Sequence, residues 1–234
     1  MSKKRGPYSS PRQQDRRLRI LRAAGLQLEK YGLGALTMQS IAEISEVSTK
    51  TLYNLFGSRD LLLLEAAVEQ LVDLEQSPVV LAAEPGLPRL HAYTGGSMQQ
   101  FEDMPEYARA VISIMLRAEL EPEAASTRFG PVQRFARESL GVAREQRELR
   151  DGLDLTRLSY QIAANVWGVV LLWEKGILAL EELRPAISLN HFLTLTPLCV
   201  GKRRELMQAG LHEVLQLSLP GAVGPMGNLQ LVDG

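Results

Sequence analysis

The sequence predicts an all-α protein in two parts, a unit of three short helices near the N-terminus and a larger helical bundle behind it. Three observations carry that expectation. Apolar residues recur at helical spacing, while strand alternation and two-residue hairpin signals are absent. Capping residues and glycines divide the first quarter of the chain into short pieces. Charge is divided as well: eleven Lys and Arg against five Asp and Glu leave residues 1–60 at +6, and the remainder at −7, within a whole-chain charge of −1.

Taken in order, residues 1–14 are basic and aperiodic, with Gly6, Pro7 and Pro11, and read as a flexible arm. From Asp15, Leu21, Ala24, Gly25 and Leu28 repeat at i, i+3, i+4 and i+7, so a first helix runs to about Gly32, which can close it in a left-handed conformation. Thr37 caps a short second helix with Met38, Ile41 and Ala42 on its inner face. After a break at Ser45-Glu46-Val47, Ser48 caps a third. At 100° per residue, Leu52, Leu55 and Phe56 fall on one side of it and Thr49, Lys50, Tyr53 and Asn54 on the other. Gly57 ends that helix, and Ser58 caps a fourth that runs to about Gln76. Ser77 to Pro88, with three prolines and a glycine, reads as a linker. Beyond it, helices are expected at about 89–101, 106–119, 129–149, 154–179 and 184–217, with a loose Gly/Pro-rich tail over 220–234. The expected division is thus 1–14 arm, 15–76 first domain, 77–219 second domain and 220–234 tail.

Composition excludes several classes. Apolar residues make up 45% of 234, enough for a core and unlike a disordered chain. Cys199 is the single cysteine, so no intrachain disulfide can form, which fits a cytoplasmic setting. The basic N-terminus has no apolar segment of a secretory signal. The longest apolar run, Val166 to Trp173, is far short of the ~20 residues that span a bilayer, so no membrane partner is expected. His91, His191 and His212 are widely spaced and form no metal-ligand motif, and Gly95-Gly96-Ser97 lacks the rest of a nucleophile elbow. Gly32-Leu33-Gly34 does not complete a dinucleotide fingerprint, and Cys199 has no identifiable base. Neither catalysis nor a cofactor nor a metal is expected.

A basic head on an acidic body suits a polyanion-binding module joined to a different one. Three short helices, the third with a wet face of Lys, Thr, Asn and Tyr, form a unit that can read duplex DNA. The second helix packs across the third through Ile41, Ala42, Val47 and Leu52 and holds it proud of the surface. Only a helix presented in that way fits the major groove. For Tyr53 a core role is the alternative, but its phase opposite Leu52 and Phe56 favours solvent.

Residues 20–64 resemble the TetR family of regulators: ILRAA with Gly32, then LTMQSIA, then VSTKTLYNLF, then Arg59 followed by leucines. The resemblance covers about a fifth of the chain and implies a helix-turn-helix DNA-binding domain followed by a helical ligand-binding and dimerisation bundle. It implies phosphate contacts from Thr37, Ser48, Thr51, Tyr53 and Arg59 and base contacts from Gln39, Thr49 and Lys50. An ammonium such as Lys50 can donate to guanine O6 and N7. Two positions depart from the family: Leu55 stands where His or Tyr is common, and Glu46 where glycine is usual in the turn. The basic arm could follow the backbone or enter the minor groove, and Arg16, Arg17 and Arg19 are candidates to neutralise phosphates.

For the second domain, the resemblance implies a homodimer through the last two long segments, about 154–179 and 184–217, bound to a palindromic double-stranded operator. It also implies a cavity for a small hydrophobic or amphipathic effector. Tyr93, Phe101, Tyr107, Met115, Asn165 and Trp167 are candidate lining residues. The expected function is a ligand-released repressor. The alternative is a helix-turn-helix protein acting as an activator or a protein-binding adaptor with no small-molecule effector.

Overall fold

The computed structural model describes residues 11–117 and 122–216. Among them the backbone is helical nearly throughout, and the single extended pairing is an isolated bridge between Leu149 and Cys199. Residues 1–10 of the expected arm, the side chain of Leu28 and the 220–234 tail lie outside the described residues.

Helix α1 (Pro11–Ala35) begins four residues before the expected start, so positions 11–14 are helical and not part of a loose arm. A leading proline is compatible with this, because the first turn needs no N–H from it. Ile20, Leu21 and Ala24 form its buried stripe. Gly32 breaks its regularity at φ 73 and ψ 174, where the sequence placed the stop. Helix α2 (Met38–Ile44) opens on a reciprocal box in which the Ser40 amide donates to Thr37 Oγ1 at 3.0 Å and the Thr37 amide donates to Ser40 Oγ at 2.9 Å. Helix α3 (Thr49–Phe56) opens on Ser48, whose Oγ accepts from the Thr51 amide at 3.1 Å. Helix α4 (Arg59–Glu75) opens in the same way on Ser58 and buries Leu62, Leu63, Leu64 and Ala66.

The expected linker is instead packed structure. Ser77 caps α5 (Pro78–Ala82), Val80 and Leu87 are fully buried, and Arg89 Nε donates to the Ala83 carbonyl at 3.2 Å. Helices α6 (Leu87–Asp103), α7 (Pro105–Arg117), α8 (Pro122–Glu145) and α9 (Leu155–Glu174) build the body, with α9 packed against α7, α8 and α10 (Leu183–Leu195). The α4 helix joins head to body, lying against α1 on one side and α6, α7 and α8 on the other.

The long helix expected over 184–217 is two helices. After α10, a 3-10 turn at Thr196–Leu198 leads through an extended Cys199 to α11 (Gly201–Gln216). Pro197 cannot supply a helical N–H, and the strand-like stretch after α8 captures the freed groups. The Arg150 amide donates to the Leu198 carbonyl at 2.9 Å, and the Val200 amide to the Glu148 carbonyl at 2.8 Å. Arg203 then fixes α11 by pairing with Glu148 at 2.7 Å and reaching Glu84 at 3.5 Å.

Candidate nucleic-acid interface and interior cavity

The turn between α2 and α3 sets the angle of the third helix. Glu46 sits at φ 53, the left-handed conformation glycine adopts freely. Its amide donates to the Glu43 carbonyl at 3.3 Å, and the Val47 amide reaches back to the Ala42 carbonyl at 3.0 Å. These two bonds form a Schellman closure around a non-glycine residue. The turn therefore keeps the geometry for which glycine is suited, at a conformational cost of about 1–2 kcal/mol.

On α3, Leu52 is wholly buried and Phe56 nearly so, while Lys50, Tyr53 and Asn54 are exposed, Tyr53 to 52%. Leu55 is half-buried against the core. Thr49 is half-buried at the first turn, and Gln39 stands exposed on α2, donating to Glu43 Oε1 at 3.2 Å. Gln39, Thr49 and Lys50 thus lie on the two helices that frame the turn.

Most of the phosphate candidates also have structural duties. Thr37 and Ser48 are the caps of α2 and α3, and Ser48 Oγ lies 2.8 Å from Thr51 Oγ1. A hydroxyl whose oxygen accepts from a backbone amide still has its own proton to give. Arg59 Nε donates to the Leu36 carbonyl at 2.6 Å, tying the start of α4 to the entrance of α2. Arg59 also borders a cleft of about 380 Å³ with Arg109, Ser113 and Glu174 of the body.

Of the three candidate arginines Arg16, Arg17 and Arg19, all on α1, Arg16 and Arg19 are exposed and Arg17 is engaged within the protein. Arg17 Nη1 donates to the Leu55 carbonyl at 2.8 Å, Nη2 pairs with Glu65, and the guanidinium lies 4.4 Å from the Phe56 ring centroid. The signal was in the sequence: positions 17, 20, 21 and 24 share one face.

Between α4, α6, α7, α8 and α9 lies a cavity of about 60 Å³. Its wall is apolar apart from Gln70, Ser97, Gln100 and the polar atoms of Tyr107 and Trp167, and holds no charged side chain. Four of the six candidate residues, Phe101, Tyr107, Met115 and Trp167, line it. The other two do not. Tyr93 is buried beside it in a stack on Phe135, with centroids 4.2 Å apart. Asn165 turns toward α10, donating to Thr194 Oγ1 at 2.9 Å and lining a smaller void of about 20 Å³. Helical phase separated neither residue from the cavity-facing set, because every position concerned is interior.

Burial shapes the ionisable groups here. Tyr107 donates to the Leu63 carbonyl at 3.2 Å, and desolvation raises its pKa, keeping the phenol neutral. Trp167 Nε1 is buried with no acceptor among the described residues. Trp167 also forms part of an outer groove with Phe129, Gly130, Gln133 and Tyr160. Its ring meets Phe129 edge-on at 5.1 Å, and of the two only Trp167 borders both groove and cavity.

A second interior cluster lies at the α6–α10 contact. His91 and His191 stack at 4.7 Å, and His91 Nε2 lies 3.0 Å from Ser188 Oγ. Desolvation, helped by His91, lowers the pKa of His191 to about 3, and burial lowers that of His91. Both rings are therefore neutral near pH 7. The sequence signalled neither the stack nor its burial, since residues 91 and 191 are joined only by the fold.

Among the described residues no group of His, Cys, Asp and Glu could hold a metal, and no helix is long and apolar enough to cross a membrane. No curated protein matches the chain. Residues 20–66 match the family described as bacterial regulatory proteins, tetR family. Among solved structures, the chain is similar to a TetR transcriptional regulator from Rhodococcus sp. RHA1, at 20% identity and a TM-score of 0.57 over 79% of this chain and 97% of that one. It is similar to FadR of Thermus thermophilus, a TetR-family transcriptional repressor solved with lauroyl-CoA, at 18% identity and 0.55 over 91% and 100%. It is similar too to SmeT, the repressor of the Stenotrophomonas maltophilia efflux pump SmeDEF, at 20% identity and 0.51 over 80% and 92%. The tetR-family match is confined to residues 20–66, and over most of its length the chain shares the fold of these solved regulators.

Proposed function

We propose that the chain is a ligand-responsive repressor that binds a palindromic operator as a homodimer and leaves it when a small apolar molecule enters the interior cavity. The observation that carries this reading is the division of α3. Leu52 and Phe56 are clamped inward while Lys50, Tyr53 and Asn54 stay open on a helix held at the molecule's edge. In this reading Lys50, Gln39 and Thr49 meet base edges, and Thr37, Ser48, Thr51, Tyr53 and Arg59 hold phosphates.

A dimer is required because one short helix reads too few base pairs, and two such helices must match half-sites about 34–36 Å apart. The surface offered to the second copy is on α9, where Tyr160, Ala164 and Leu171 form an exposed stripe, together with Leu193 of α10. Five side chains of α4 (Leu64, Ala67, Val68, Gln70 and Leu71) wall the cavity, and the same helix carries the head. A guest that displaces α4 therefore changes the spacing of the two reading helices. It shifts the equilibrium only by its differential affinity for the two arrangements.

The uncharged wall supports a neutral guest, because a buried carboxylate or ammonium would find no counter-charge there. The acyl chain of lauroyl-CoA in the Thermus FadR complex offers a similarly apolar surface. The buried Trp167 Nε1 supports a hydrogen-bond acceptor on that guest.

The test is selection of duplexes from a randomised pool, followed by affinity measurement. A two-fold symmetric sequence should be enriched, and Lys50→Ala should weaken binding to it by about 1–3 kcal/mol while relaxing choice at one base position. Absence of enrichment, or a Lys50→Ala protein with unchanged preference, would overturn the reading. For the effector, a thermal-shift screen of neutral hydrophobes should give hits that lower operator affinity; hits that leave it unaltered would favour the adaptor alternative.

A further inference from the structure

We infer that Arg17 is the positioning residue of the recognition helix, acting through α3 and not through contact with the duplex; the inference rests on the DNA-binding reading above. The guanidinium is spent on three neighbours from two different helices. One amino group caps the Leu55 carbonyl, which belongs to the last turn of α3 and has no partner within its own helix. The other pairs with Glu65 of α4. The planar face covers Phe56, the residue that anchors α3 in the core. A cation at that end also complements the partial negative charge of the helix C-terminus.

The arrangement makes one side chain the common fastening of α1, α3 and α4. Its place on α4 matters. Glu65 directly follows Leu64, and Leu64, Ala67 and Val68 are part of the cavity wall. Rotation or sliding of α4 therefore carries Glu65 with it, and Arg17 passes that movement to the Leu55–Phe56 end of α3 without any part played by the α2–α3 turn. A lysine could keep the ion pair but lacks the rigid fork that reaches a carbonyl and a carboxylate while lying flat on a ring.

The two roles open to Arg17 predict opposite signs for a change at Glu65. A phosphate-contacting Arg17 freed by Glu65→Gln would bind DNA better, since a negative charge has also been removed from the neighbourhood. A positioning Arg17 makes Glu65→Gln bind worse, by about fivefold. The experiment uses the full chain and the duplex enriched by the wild type, with affinity measured by fluorescence anisotropy at several salt concentrations and folding followed by circular dichroism.

Expected are weaker binding for Glu65→Gln and for Arg17→Lys, with the slope of log Kd against log salt unchanged from wild type. Arg17→Ala should be weaker still, again without a change of slope. A slope smaller by about 0.9 in Arg17→Ala, the signature of one lost phosphate contact, would overturn the inference. So would Glu65→Gln binding as tightly as the wild type or more tightly. If Arg17→Ala does not fold, the Glu65→Gln and Arg17→Lys pair decides alone. A wild type that enriches no duplex overturns the DNA-binding reading and this inference together, an outcome distinct from normal wild-type binding with an indifferent Glu65→Gln.

Discussion

The head and the C-terminal end of the body are built by opposite means. In α2, α3 and the start of α4, each helix is opened, and the α2–α3 turn closed, by a bond between residues within five positions of each other: Thr37 with Ser40, Ser48 with Thr51, Ser58 with Leu61, and Ala42 with Val47 around Glu46. At the end of α9 and between α10 and α11 the boundaries are set by distant partners. Arg109 of α7 donates to the Trp173 and Glu174 carbonyls at the end of α9 and lies 4.4 Å from the Trp173 ring. The break between α10 and α11 is held from residues 148–150. A head built on local bonds keeps its internal geometry when moved as a unit. A body built on remote ones can change shape.

Four measurements would break or sharpen that contrast. Trp173 is fully buried among Phe101, Arg109 and the α9 core. Trp173→Ala should lower unfolding free energy by about 3–5 kcal/mol in denaturant titrations. A loss below 1 kcal/mol would show that the body does not depend on that distant assembly.

Next in size is a pH effect from the α6–α10 contact. His191 stays neutral when folded, with its pKa lowered to about 3, whereas the unfolded chain takes up a proton near the ordinary 6.5. Unfolded protein therefore binds more protons below pH 6.5, and stability falls with acid, by on the order of 2 kcal/mol between pH 7 and 5. Chemical denaturation across that range should show the slope, and His191→Gln should flatten it. A slope equal in wild type and variant would place the acid sensitivity elsewhere.

The head should respond in smaller, local steps. Ser48→Ala removes the cap of α3 and should cost about 1 kcal/mol with no effect on the body's acid limb. Glu46→Gly should act in the other direction, stabilising by about 0.5–1 kcal/mol, because the left-handed φ becomes free while the unfolded chain gains entropy. Destabilisation by Glu46→Gly would mean that the Glu46 side chain carries weight its exposed position does not reveal.

The same contrast explains what could be read from the sequence. Thr37, Ser48, Gly57 and Ser58 announce their helices through their own chemistry, and the inward phase of Leu52 and Phe56 follows from 100° per residue. The α10–α11 break was signalled only by Pro197, and its completion needed Glu148 and Arg150, which nothing in the sequence joins to residues 198–200. The linker failed as an expectation because Pro78 serves as a helix start and Val80 and Leu87 are core residues. For the cavity, four candidates line it and Tyr93 and Asn165 do not, since composition tells that a side chain is interior but not which void it faces. Arg17 was readable by phase and was obscured by its charge.

Trp167 belongs both to the cavity wall and to the outer groove, with Phe129 edge-on against it, and for the guest proposed above that would set a tempo. A guest entering from the groove would have to wait for the Trp167 ring to swing aside, and, because Tyr160 and Ala164 of the proposed dimer face line the same groove, for the partner to leave room, and would have to wait again to leave. Arrival by that path is slower than a collision in free solution, and departure slower than the strength of its contacts alone would dictate. Occupancy would then outlast a brief fall in the guest's concentration, so the chamber would answer to an average over time and ignore short fluctuations.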